Sequence, residues 1–172
     1  MINMKFTYCI TKYNPKYRNI GGGYEKNEWT EVGDIGKTYN GEVFTEDEYL
    51  KMESNYLKTI EFVIKNEDFF TITNLEKHSN MIRNKNLSFS EREVEFFNTV
   101  YDRKKNSISQ TLMTSKLILR NEFWAVLKSK NVKIEFGFDY YMYFTLRTPL
   151  NDIEIEKIKT FNLFVEKVGN GW

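Results

Sequence analysis

The stretch that most restricts what this chain can fold into is Val132-Lys-Ile-Glu-Phe-Gly-Phe-Asp-Tyr-Tyr-Met-Tyr-Phe144, an aromatic run with a glycine at its middle. β-branched and aromatic residues on both sides of a turn residue predict an antiparallel hairpin. A two-residue loop of Gly137 and Phe138 suits a type II′ turn, which wants glycine first. The rival loop, Phe138-Asp139, would force phenylalanine to positive φ, which a bulky residue resists. In the preferred register Phe136 faces Asp139. Val132, Ile134, Phe136, Asp139, Tyr141 and Tyr143 then share one face, and Lys133, Glu135, Tyr140, Met142 and Phe144 the other. Such a sheet is either covered on both sides or shows an aromatic patch to a partner.

Elements on either side of the hairpin follow from periodicity and caps. Lys5 to Lys12 reads as an opening strand closed by the turn Tyr13-Asn14-Pro15. Lys16 to Asn40, with Gly21-Gly22-Gly23 and Trp29, lacks either period and reads as a long ordered loop, a class of segment that often carries function. Thr45-Glu46-Asp47-Glu48 forms a capping box ahead of Tyr49, Met52, Tyr56, Ile60 and Val63, so a helix is expected from about Glu46 to Lys65. Phe69 to Thr73 fits a short strand. Ser90-Glu91-Arg92-Glu93 opens a second helix expected to reach about Lys104, and Ser107 to Ser129 reads as one further helix central to the core. After Pro149, Asn151 or Asp152 can cap a helix that precedes a last strand at Leu163 to Val168.

The expected fold is α+β: about four helices on a largely antiparallel sheet, ending in a hairpin, a helix and a strand. With 172 residues the chain can bury about two-thirds of its unfolded surface as a single domain spanning residues 1–172, without disulfides. Its one cysteine, Cys9, cannot form an internal disulfide, which fits a reducing, cytoplasmic location. The apolar run at the start is too short for a signal peptide, and no stretch of roughly 18 apolar residues marks a membrane helix. Abundant Asn, Lys, Ile, Phe and Tyr with a single alanine, Ala125, point to an A/T-rich genome and a bacterial source.

Several chemistries are disfavoured. Lys plus Arg number 25 against 24 Asp plus Glu, so no global positive field attracts nucleic acid. His78 is the only histidine, which argues against histidine-centred triads and multi-histidine metal sites. The triple glycine lacks the Gly-Lys-Ser/Thr ending of a P-loop and reads as a turn. Neither a cofactor nor a metal is expected. Carboxylate chemistry would need Asp34, Glu53 and Asp139 together, and nothing in the sequence joins them. Arg120 lies in a segment read as apolar helix and Asp139 on a face read as inward. Because a buried charge is costly unless paired, the two are expected to form a structural ion pair or to find backbone partners.

Thr11-Lys-Tyr-Asn-Pro15, Glu28-Trp29-Thr30, Asp34-Ile35-Gly36-Lys37, Glu48-Tyr49-Leu50, Arg120 with Trp124, Gly137 to Tyr143 and Leu163 to Glu166 resemble a family of small uncharacterised bacterial proteins. The likeness covers most of the chain, and Gly-x-Asp-Tyr-Tyr-Met-Tyr is its most specific part. The resemblance implies no activity. Some small proteins of this general kind are immunity proteins that neutralise toxins, an analogy of size and context.

These readings converge on a non-enzymatic module that binds a protein partner, in its immunity-like version a toxin. The interface candidates are Trp29 in the long loop and Tyr140, Met142 and Phe144 on the second hairpin face, with the terminal Trp172 as a further anchor. The alternative is a small-ligand binder or enzyme with a site around Arg120, Asp139 and Tyr141. A deep concave site with convergent polar groups would favour it over a flat aromatic patch. The same patch could also pair with itself in a homo-oligomer.

Overall fold

The structure, a computed structural model, describes residues 6–168. In chain order it contains β1 (Phe6–Thr11), β2 (Thr38–Tyr39), β3 (Glu42–Val43), α1 (Glu46–Ile64), β4 (Phe70–Lys77), α2 (Glu91–Asn98), β5 (Lys105–Asn106), α3 (Ile108–Leu119), β6 (Phe123–Lys128), β7 (Val132–Phe136), β8 (Met142–Leu146), α4 (Asp152–Lys159) and β9 (Phe164–Val168). Seven strands form one sheet in the order β5-β4-β6-β7-β8-β1-β9, every neighbouring pair antiparallel. The first and last described strands therefore lie side by side. With the helices this is the α+β architecture expected from the sequence.

A single row of cross-strand neighbours shows where the core sits. Tyr8, Phe144, Ile134, Leu127 and Ile72 are successive partners across five strands, and all are buried. They pack with Tyr49, Tyr56, Ile60 and Ile64 of α1, Leu117 of α3 and Ile158 of α4. On the other face of the same strands, Thr7, Tyr143, Glu135 and Lys133 are half-buried. One face is thus apolar and helix-covered, the pattern of an antiparallel sheet against a helical layer.

Capping boxes start the helices where the sequence places them. Thr45 and Glu48 cap α1, Ser90 and Glu93 cap α2, and Asn151 and Glu154 cap α4. α2 stops well short of Lys104. The carbonyls at and just past its end are taken by lysines from outside the helix: Lys77 Nζ donates to Phe97 and Val100, and Lys104 Nζ to Thr99. β4 runs on to Lys77 instead of ending at Thr73, through an irregularity between Thr73 and Glu76 where Asn74 has φ 55°.

The expected helix from Ser107 to Ser129 is in fact a helix and a strand. Asn121 takes φ 59°, its N–H bonds to Ile118 O at 2.9 Å, and Glu122 N–H bonds to Leu117 O at 3.0 Å. This is a Schellman ending with asparagine in the left-handed position. Arg120 is therefore the helix cap, and Trp124 is a half-buried residue of β6 packed against the core.

The hairpin register is also corrected. Phe136 pairs with Met142, Ile134 with Phe144 and Val132 with Leu146, leaving a five-residue connection, 137–141, in place of the type II′ turn. The shift of three residues is odd, so every β8 side chain changes face. Met142 and Phe144 become fully buried against the helices, while Tyr143 turns outward. That register buries the larger apolar set.

Candidate functional site

β6 and β7 start as a tight pair at Lys128–Lys133, and their ladder stops after Leu127–Ile134. Beyond that point the strands part, and the Trp124 indole N–H donates to the Phe136 carbonyl at 2.6 Å. A cleft of about 880 Å³ opens here, lined by Trp124 and its cross-strand partner Glu76, by Phe136 and the 137–141 turn, and by His78 and Ile82. Ile118 and Leu119, at the end of α3, also line it.

The turn at its mouth is held in a costly conformation. Asp139 and Tyr140 have φ 55° and 63°; aspartate is tolerated in the left-handed region, whereas a bulky residue such as Tyr140 is held there at a cost of about 1–2 kcal/mol. The surroundings fix Tyr140 at both ends. Its carbonyl accepts the Tyr56 hydroxyl at 2.6 Å, while its own hydroxyl meets that of Tyr49 and lies 2.9 Å from the Leu119 carbonyl. Burial pushes the Tyr49 and Tyr140 hydroxyls well above the ordinary phenol range, so both stay protonated and able to donate. Anchoring Tyr140 inside leaves the preceding residues outside. Phe138 is 92% exposed and Asp139 is exposed beside it.

Behind the turn, Trp29 stacks on Phe44 with centroids 4.5 Å apart and meets Tyr140 edge-on at 5.1 Å. Lys12 Nζ lies 4.3 Å from the Trp29 ring, 4.0 Å from Tyr13 and 2.8 Å from Glu28 Oε2. Burial lowers the Lys12 pKa, and the Glu28 carboxylate only partly restores it. This cluster fastens the long loop to the body of the fold. The segment carrying Ile82 is fastened by Glu122, fully buried, which accepts the N–H groups of Ile82 at 2.7 Å and Arg83 at 2.9 Å. Burial raises its pKa despite those two bonds. Ile82 itself is 60% exposed.

Of the residues expected to form a protein interface, Tyr140, Met142 and Phe144 are buried in the core, so no aromatic patch exists on that hairpin face. Trp29 is half-buried against the core, and Trp172 lies outside the described residues. The expected ion pair between Arg120 and Asp139 does not form. Arg120 is bound by Glu53 through two bonds, Nε–Oε2 at 2.6 Å and Nη2–Oε1 at 2.9 Å, and its Nη1 lies 3.1 Å from Glu93. Burial opposes charge on Arg120, but Glu53 and Glu93 outweigh it and raise its pKa. Asp139 and Tyr141 do line the cleft together, Tyr141 stacked on Tyr13 at 5.3 Å. Asp34, Glu53 and Asp139 stay apart: Asp34 is held by Lys37 and Thr30, Glu53 by Arg120. The triple glycine closes a turn on Asn19, whose side chain accepts from Gly23 N–H. Among the described residues no cluster of acids, histidines or cysteines has metal-binding geometry, and no helix is long and apolar enough to cross a membrane.

Phe138, Ile82, Glu76 and the Trp124 face were not singled out from the sequence. Only Gly137-Phe138, legible as a turn, could have pointed to one of them. Compared with protein-family models, with curated proteins and with solved structures, the chain matches none.

Proposed function

We propose that this protein is a non-enzymatic binding module and that it engages a protein partner at the mouth of the cleft. The observation that carries this reading is the 137–141 turn. Two consecutive non-glycine residues sit in the left-handed region, and strain of that kind persists where the surroundings over-determine it, commonly at functional positions. What the strain achieves is display of Phe138, 92% exposed, with Ile82, 60% exposed, also lining the cleft. Exposed apolar side chains around a concavity are the usual form of a docking anchor. The immunity-like version, in which the partner is a toxin whose active site is covered, follows from the family resemblance and its analogy of size. It requires no chemistry from the protein itself.

The cleft's volume favours a second reading, a small-ligand binder using Asp139 and Tyr141. Arg120, sealed by two glutamates, has no part in it. Affinity capture from the native cell lysate with wild type and with a Phe138→Ser, Ile82→Ser variant separates the two. A stoichiometric protein retained by wild type and lost by the variant supports the docking reading. Equal retention by both removes the cleft mouth as the interface.

A further inference from the structure

The charge lining the cleft differs from that of the chain as a whole. The chain carries 25 basic and 24 acidic side chains, whereas the cleft is lined by four carboxylates, Glu31, Glu76, Glu122 and Asp139, against one lysine, Lys77. The lysine forms an ion pair with none of them. Its ammonium is spent on the Phe97 carbonyl at 2.7 Å and the Val100 carbonyl at 3.1 Å. Arg83, next to Ile82, is exposed and is not among the lining side chains. Lys12, the cation whose field reaches Asp139, is buried and paired with Glu28 at 2.8 Å.

The four acids are not equivalent. Glu122 is saturated by two backbone N–H groups, and Glu31 accepts the Asn121 side chain at 2.8 Å. Glu76 and Asp139 are exposed, and neither has an ion pair among the described residues. They come from different elements, one from β4 and one from the turn, and both line the cleft. Beside them, Trp124 has already used its N–H on Phe136, so it offers the cleft a ring and no donor. Phe138 adds a second exposed ring. Ring faces attract ammonium and guanidinium groups, while their edges and apolar neighbours accommodate aliphatic stems.

We infer that the cleft receives a basic segment of the partner, with arginine or lysine side chains reaching the exposed carboxylates of Glu76 and Asp139 and apolar neighbours resting on Phe138 and Ile82. The inference rests on the docking reading above and adds the chemistry of the docked segment. Complementary charge of this kind fixes partner choice and accelerates encounter, and it weakens with salt.

The test is calorimetric titration of the full chain with two end-blocked hexapeptides, Arg-Leu-Arg-Phe-Arg-Leu and the same peptide with glutamate for every arginine. The basic peptide is expected to bind with one-to-one stoichiometry, and more weakly as salt rises. The acidic one should give no heat of binding. A Glu76→Gln, Asp139→Asn variant, altered only at exposed positions, should bind the basic peptide about tenfold more weakly or less. Equal binding of both peptides, undiminished affinity in the variant, or no binding of the basic peptide each overturns the inference. If the acidic peptide binds and the Phe138→Ser, Ile82→Ser variant loses it, docking at the cleft stands and only the sign of its charge preference falls.

Discussion

The hydroxyl of Tyr56, on α1, donates to the carbonyl of Tyr140 at 2.6 Å and accepts the backbone N–H of Lys12 at 2.8 Å. One side chain thereby joins the central helix, the end of the first strand and the strained turn at the cleft. Tyr56→Phe removes no apolar packing but strips both backbone groups of their partner. A buried polar group left unsatisfied costs about 1–3 kcal/mol, so the variant should lose stability in that range. Urea denaturation checks this, and an unchanged midpoint would show that the turn is held without Tyr56. The Phe138-dependent interaction should weaken with it.

Arg120 offers a sharper contrast between two substitutions. Arg120→Met leaves Glu53 and Glu93 buried, with Lys116 the remaining cation on Glu93. Breaking a buried ion pair from one side costs about 3–5 kcal/mol. In Arg120→Met, Glu53→Met both charges of the two-bond pair are gone and apolar volume replaces them, so much of that loss should be recovered. A double variant less stable than the single one would mean that the two residues do not act as a pair. Neither change touches the cleft, so binding by the molecules that remain folded should be unaltered.

Which parts of this architecture could be read from the sequence depends on how far the deciding information lies along the chain. α1 and α4 announce themselves within four residues, through Thr45 with Glu48 and Asn151 with Glu154. The end of α3 is also local, but its signal is the single residue Asn121, set against Leu119, Phe123 and Trp124, which continue a helical spacing. The hairpin register is not local. Gly137-Phe138 favours a two-residue turn, and only the helices covering Met142, Phe144 and Leu146 decide otherwise. The cleft inherits both difficulties. It exists because β6 parts from β7, which requires knowing that Phe123–Lys128 is a strand and that 137–141 is a long connection. Asp139 and Tyr141, candidates from the sequence, nevertheless line the cleft, whereas Arg120 pairs with Glu53 and not with Asp139.

Cys9 should behave as an inert thiol. It is buried opposite Tyr143 on the outer sheet face, and burial, reinforced by the nearby Glu166 carboxylate, pushes its pKa up to about 11. Thiolate is the reactive form. In native protein at about pH 8, Ellman's reagent should therefore label far less than one thiol per chain over the time in which urea-unfolded protein labels completely, since an ordinary cysteine titrates near 8.5. Rapid stoichiometric labelling of the native protein would show that β1 opens locally.

Acid sensitivity should come in part from Asp34. Burial opposes its ionisation, but Lys37 Nζ at 2.7 Å and the Thr30 N–H at 2.7 Å outweigh that and hold its carboxyl below the usual aspartate range. A folded-state pKa below the unfolded one means that the unfolded chain binds more protons in the interval between them, so stability rises with pH there. Asp34's contribution is fully present above the unfolded value of about 3.9 and is lost as pH falls through the lower folded value. Glu93, lowered by Lys116 and Ser90 against its burial, acts with the same sign. Glu122, raised by burial, acts with the opposite sign, its protonation relieving a cost as pH falls. Asp34→Asn should reduce stability at neutral pH by about 1.5–3 kcal/mol, the worth of a hydrogen bond to a charged group. The gap from wild type should close as pH drops below about 4, where the aspartate protonates too. Thermal unfolding of both proteins from pH 7 down to pH 2 measures that gap. A difference that stays constant across the range would mean that the carboxylate's charge contributes nothing and that the side chain matters only for its shape.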